Sequence, residues 1–313
     1  MLALPERGIA RSVEAHNVEL DVLADWIEAS VLFQEEPEIS GAELVDLLCE
    51  TQIYEQQAFA WERMGDAWAE LRRRQDCLGG FSPLTIEPHR ITRLTPWRDT
   101  PAHSFCVVLS LAKWYPKWAS RFGHNYTEQG ELFELVTRAS LERLLPGWRF
   151  HLTGWARTRT NKLGAVVKDI AALLGESIGK IERWTKPTAN EAGLDLLCYR
   201  PFVDARVGVP VYLLQCASGA DWESKLHTPR LEIWRRLVEF AATPRKAFST
   251  PFAFLDTDFV RNCVLVDGLL IDRYRLLSAG RDNLNWITAE LRARLVAWLE
   301  PRVTQLPRAQ EVV

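Results

Sequence analysis

The chain has 313 residues, 47% hydrophobic and 25% charged, with 17 Gly and 16 Pro. That length is about two domains' worth, and the composition excludes a disordered chain, a collagen and a coiled coil. The uncharged window at 207–220 falls short of the ~18 residues a membrane span needs, and no basic-then-apolar leader opens the sequence. The six cysteines (49, 77, 106, 198, 216 and 263) are far apart, with no Cys-x-x-Cys. They read as reduced thiols and a cytoplasmic location, without a disulfide frame or a zinc site. Net charge is −3 but uneven: residues 1–60 carry 13 Asp/Glu against Arg7 and Arg11, while residues 146–190 carry eight Lys/Arg against three acids. The second segment would attract a polyanion and the first would repel one. The alternative is two solvated helix faces of opposite sign.

In chain order, the first ~78 residues read as helical. Val18, Leu20, Val22, Leu23, Trp26 and Ile27 keep a 3.6-residue period, and Ser40 with Glu43 forms a capping box. The run Ile53–Leu71 lines up Phe59, Trp61, Met64 and Trp68, and Gly79-Gly80 ends it. Residues 81–101, with four prolines, read as loop with one short strand. Segments 104–122 and 128–145 return to helix-like patterns. Pro146-Gly147 then marks the expected boundary between a helical domain, 1–146, and a second domain, 147–313.

The second half predicts a helix over 162–175 and a loop over 176–192. Two strands follow, 194–199 and 209–217, joined as a hairpin across Asp204–Gly208. A helix opened by Thr228-Pro229, strands near 252–255 and 264–271, and a closing helix at 284–299 complete an α/β domain with a mixed central sheet. Gly175-Glu-Ser-Ile-Gly179-Lys180-Ile181 is not a phosphate loop, because one spacer residue and the Ser/Thr hydroxyl are missing. Asp256-Thr-Asp258 reads as a capped turn more than a metal feature.

One constellation remains. In a hairpin centred on 204–208, Asp195 and Gln215 are cross-strand neighbours about 5 Å apart. Each is polar within an apolar strand and needs a partner. A divalent cation with oxygen ligands satisfies both, and so does a direct hydrogen bond between them. Cys216 before a helix start, with His227 beyond, raises a cysteine hydrolase, but strand alternation turns Cys216 away from Gln215. A third reading makes the chain an interaction protein working through its acidic helical half.

The stretches Glu191-Ala-Gly-Leu-Asp195 and Gln215-Cys-Ala-Ser-Gly219 followed by a helix resemble the PD-(D/E)xK, restriction-endonuclease-like superfamily, closest to its Mrr-type Gln-x-Lys subset. The likeness covers about 155–275 and is tight over 191–225. It implies a helix before a mixed sheet, with Asp195 and Gln215 holding Mg2+ (or Mn2+). It also implies a catalytic lysine two residues after the second ligand, where this chain has Ala217. Lys225 on the next helix, one turn from Trp222, is the expected displaced lysine. The helix-borne Glu that some members add is not at Gly164 or Ala165, which leaves Asp169 and Glu176. Arg157, Arg159 and Lys162 are the expected phosphate contacts. The resemblance therefore implies a metal-dependent nuclease acting on nucleic acid, DNA before RNA, in a bacterial anti-phage system, with a protein partner for the acidic region and no membrane. A catalytically inactive nuclease fold that binds DNA or protein is the alternative.

Overall fold

A computed structural model of the chain describes residues 1–9, 18–123, 126–154, 162–184, 192–281, 283 and 285–309. Two compact units emerge, and they do not divide at residue 146. Unit 1 comprises 1–124, 252–255 and 273–313, and unit 2 comprises 125–251 and 256–272. The helix at 126–144 thus falls in unit 2, and the closing helix falls in unit 1.

In chain order, unit 1 begins with α1 (Leu20–Phe33), β1 (Glu38–Ser40), α2 (Gly41–Glu50) and α3 (Gln57–Leu78), followed by β2 (Leu84–Ile86), β3 (Arg90–Arg93), α4 (Pro101–Trp114) and α5 (Pro116–Ser120). The Ser40–Glu43 capping box forms as expected. The three strands pair antiparallel in the order β1-β3-β2, so 81–101 holds two strands where the sequence suggested one. The aromatic line on α3 divides: Met64 and Trp68 are buried, while Phe59 and Trp61 are exposed.

Unit 2 continues with α6 (Tyr126–Leu144), β4 (Arg149–Leu152), α7 (Leu163–Leu174), β5 (Ser177–Ile178), α8 (Ile181–Trp184), β6 (Leu196–Tyr199) and β7 (Val211–Cys216). It closes with α9 (Leu231–Leu237), β8 (Val238–Glu239), β9 (Arg245–Ser249), α10 (Asp256–Val266) and β10 (Gly268–Ile271). The chain then returns to unit 1 as α11 (Arg273–Leu277) and α12 (Ala289–Thr304).

The central sheet of unit 2 has the strand order β10-β9-β7-β6-β4 and is mixed. β4, β6 and β7 run antiparallel in turn, whereas β7, β9 and β10 are parallel. The hairpin has the expected register, Leu196 opposite Leu214 and Tyr199 opposite Val211. Alternation along these strands sends Leu197, Tyr199, Val211 and Leu213 to one face. There they pack with Val166, Val167 and Ile170 of α7 and Trp234 and Leu237 of α9. Helix α6 covers the other face, where Thr137 Oγ1 meets Ser249 Oγ at 3.1 Å.

Three expectations in this half change. Asp256 and Asp258 open α10, where acids suit the positive end of the helix dipole, and Asp258 pairs with Arg261 at 3.1 Å. Residues 252–255 form no strand. Trp222–Lys225 is one short 3-10 turn without a side-chain cap, where the sequence suggested a helix. No described helix is long and apolar enough to cross a membrane.

Candidate metal centre

Asp195 stands one residue before β6 and is held there by three backbone hydrogen bonds. Its N–H donates to Leu214 O at 2.9 Å, and its carbonyl accepts from Thr153 N (2.8 Å) and Gly154 N (3.2 Å). The Thr153 hydroxyl also donates to Leu194 O at 2.8 Å. The residue is therefore clamped between the ends of β4 and β7, and the ladder places Gln215 opposite it. Both are buried, at 3% and 7% exposure.

The polar pair expected from the sequence exists as a direct hydrogen bond. Gln215 Nε2 donates to Asp195 Oδ2 at 2.5 Å, and the Cys216 N–H donates to the same oxygen at 2.7 Å. At its other end the amide oxygen accepts from Thr228 Oγ1 at 3.2 Å.

The second carboxylate oxygen of Asp195 faces elsewhere. A Cβ placed on Gly154 would stand 2.7 Å from Asp195 Oδ1 and closer still to Glu134 Oε1. Glu134 lies on α6 and is 1% exposed. Two buried carboxylates from different elements thus converge on one glycine, their oxygens within about 5 Å, the range in which neighbouring charges act strongly on each other. Glycine is required at 154 because any side chain would fill the space the two oxygens take.

Glu134 is the residue that sequence reasoning missed. It stands on α6, one helix before the 164–176 region where the resemblance leads one to expect a helix-borne acid. A signal was present: Glu134, Thr137 and Leu141 share one stripe of α6 with Phe133, Val136 and Ser140, all buried. An acid on the buried stripe of a helix that precedes a sheet is a candidate for the sheet's site. Asp169 and Glu176 have other places. Glu176 Oε1 accepts from Ala241 N at 3.1 Å, and Asp169 lies on α7, the helix of the opposite face.

Lys225 does not come to the pair. Its amine lies 4.0 Å from Asp221 Oδ1, its side chain is 42% exposed, and among the described residues that is its ion pair. Trp222 anchors the 3-10 turn by packing against Phe248. Ala217 is fully buried. Lys162 precedes α7 and is exposed, while Arg157 and Arg159 lie outside the described residues.

The cysteine reading loses its chemistry. Burial raises the Cys216 thiol well above its ordinary value, and the Asp195 and Glu134 carboxylates push it further. A thiol held protonated in this way is a poor nucleophile. Its neighbour Cys198 is likewise raised by burial.

The donor set suits a hard divalent cation. Oxygens of Glu134 and Asp195 match the all-oxygen preference of Mg2+ and Mn2+, while Gln215 turns its Nε2 to Asp195 and its amide oxygen to Thr228. Among the described residues no group of three or more His, Cys, Asp or Glu is arranged around a metal position, so a third donor would have to come from a turned Gln215 amide. Comparison with protein-family models, with curated proteins and with solved structures finds no match to this chain.

Proposed function

We propose that the chain is a metal-dependent nuclease that hydrolyses phosphodiester bonds of nucleic acid, DNA before RNA. One observation carries the reading: Glu134 on the preceding helix and Asp195 at the strand end converge on Gly154, with Gln215 on the neighbouring strand beside them. A helix before a mixed sheet, with an acid and a Gln on adjacent strands, agrees with the restriction-endonuclease-like pattern.

Bound there, Mg2+ would polarise a phosphoryl oxygen and supply hydroxide near neutral pH. The residues' own tasks are simpler. Glu134 and Asp195 provide the negative charge that selects a cation, and the Cys216 N–H fixes the Asp195 carboxylate in orientation. Gly154, having no side chain, lets the two carboxylates approach each other. Lys162, exposed at the start of α7, is the phosphate contact that this reading proposes. The bacterial anti-phage setting follows from the same resemblance. A partner with a basic surface would fit unit 1, where Glu35, Glu36, Glu38, Glu43, Asp46 and Glu50 are all exposed.

The test is Mn2+ binding by calorimetry on the full chain, together with nicking of supercoiled plasmid and of single-stranded RNA in Mg2+. Wild type should bind Mn2+ and cut DNA, and Asp195→Ala and Glu134→Ala should each lose both while staying folded. Intact plasmid and RNA alongside normal Mn2+ binding would move the assignment to an inactive nuclease fold. Ala217 in place of the lysine, and Lys225 turned to Asp221, are the observations that favour that second reading.

A further inference from the structure

A glutamine amide is two-ended, with an acceptor oxygen and a donor NH2, and its surroundings decide which end faces which neighbour. An ionised carboxylate only accepts, so beside Asp195 Oδ2 the Gln215 amide must present Nε2, and it does. A hard cation shared with Asp195 needs the other end, Oε1. Passing from one state to the other is a half-turn about the last side-chain torsion. It gives up the Nε2 bonds to Asp195 Oδ2 and to Cys216 O (3.1 Å) and turns Oε1 to that side, where a cation must bridge the oxygens. It also sends the NH2 to where Oε1 now lies.

What waits there is the Thr228 hydroxyl, 3.2 Å from Oε1. Its hydrogen has a second acceptor nearer by, Lys225 O at 2.7 Å. The hydroxyl can therefore donate to Oε1 in one state. In the other it can turn its hydrogen to Lys225 O and accept from Nε2. Without it, the rotated amide of a residue only 7% exposed would bury an unsatisfied NH2. The turn that carries Thr228 is held in place from two sides. Lys246 Nζ donates to Leu226 O at 3.1 Å, and Gly193, at φ +64°, leaves room where a Cβ would stand 2.8 Å from Thr228 Cβ and 3.1 Å from Gln215 Oε1.

We infer that Gln215 is a two-position amide and that Thr228 is the positioning residue that permits its turn toward a cation. The inference rests on the metal-site reading above. In it, Lys225 contributes its backbone carbonyl and not its amine.

Mn2+ affinity of the full chain, measured by calorimetry and by loss of the free-ion electron-spin resonance signal, tests this without reference to cleavage. Thr228→Val should weaken binding about tenfold, the equivalent of 1.4 kcal/mol, and Thr228→Ser should restore it to within about twofold of wild type, a difference of roughly 0.4 kcal/mol. Gln215→Glu offers an oxygen at either end, so adding Thr228→Val to it should change binding by less than about twofold, the signature of a coupling that runs through the amide. Should Thr228→Val fail to fold, Thr228→Ala takes its place in both backgrounds. Equal Mn2+ affinity in wild type and Thr228→Val overturns the inference, as does an equal loss in both backgrounds. If wild type and Gln215→Glu both fail to bind Mn2+, the metal-site reading itself falls and takes the inference with it.

Discussion

Asp195 carries two different duties on its two oxygens. Oδ2 is taken up by Gln215 Nε2 and Cys216 N, and Oδ1 faces Gly154 and Glu134. Asp195→Asn keeps the size but replaces one oxygen with a donor, so it should cost about 1–3 kcal/mol of stability; calorimetric melting of both proteins measures this. Gly154→Ala is sharper, since its methyl would overlap both carboxylates. It should abolish Mn2+ binding, and an alanine variant that binds Mn2+ like wild type would show that the two acids do not share an ion. Lys225→Ala removes only an exposed ion pair with Asp221. It should leave stability within about 0.5 kcal/mol of wild type, read from denaturant midpoints.

At the scale of elements, the site is assembled by α6 and the β6–β7 hairpin. The hairpin brings Asp195 opposite Gln215 because its apolar alternation fixes one register, and a one-residue slip would turn every core side chain outward. Helix α6 is tied down near its start, through Gln129 Nε2 to Ser218 O at 3.1 Å, and at its middle, through Thr137 to Ser249. The register was legible from two numbers in the sequence, since it needed only local strand patterning and a turn. Docking of α6 was not. Nothing in residues 126–144 states which sheet a helical stripe will cover, and a Pro-Gly pair at 146–147 looked like an end when it is an internal turn, with Gly147 at φ +84°.

For the whole molecule, the decisive feature is that unit 1 is closed by residues from both ends of the chain. Helix α12 lays Trp298 edge-on against Phe105 of α4, with ring centroids 4.9 Å apart, and Leu2 bridges to Arg308. Arg273, fully buried, reaches Asp25 Oδ1 at 2.9 Å, beside Arg74, which meets Asp25 at 2.7 Å and Glu28 at 2.9 Å. His103 and Tyr274 complete the cluster on Glu28. Two of the acids counted in the acidic N-terminal segment are therefore internal, not on its surface. A fragment ending at residue 272 leaves these carboxylates without Arg273, a loss of about 3–5 kcal/mol before α12 is counted; circular dichroism should find the helical signal of unit 1 lost.

The same cluster sets an acid limit. Burial pushes the Asp25 carboxyl up, but Arg273 and Arg74 outweigh it, and its value falls below the ordinary one. Glu28 is lowered too, burial being outweighed by His103, Arg273 and Arg74. A depressed carboxylate stabilises the fold above its unfolded value, about pH 4, and that stability drains away as pH falls through the folded value. Unit 1 should hold a constant melting temperature from neutral pH to about 5 and lose it steeply below about 4. Arg273→Met should abolish that plateau.

Local order was written in the sequence: the α/β class with a mixed sheet, the capping box at Ser40, the hairpin register and the Asp195–Gln215 pair. Each depends on residues a few positions apart or on one turn, where propensity and periodicity act directly. The tertiary structure alone decided that α6 belongs with the sheet and brings Glu134 to Asp195, that Lys225 turns to Asp221, and that Asp25 and Glu28 are neutralised by an arginine some 250 residues away in the chain. Such pairings are set by which buried surfaces fit and which charges must be compensated once buried. Those quantities exist only when distant segments meet.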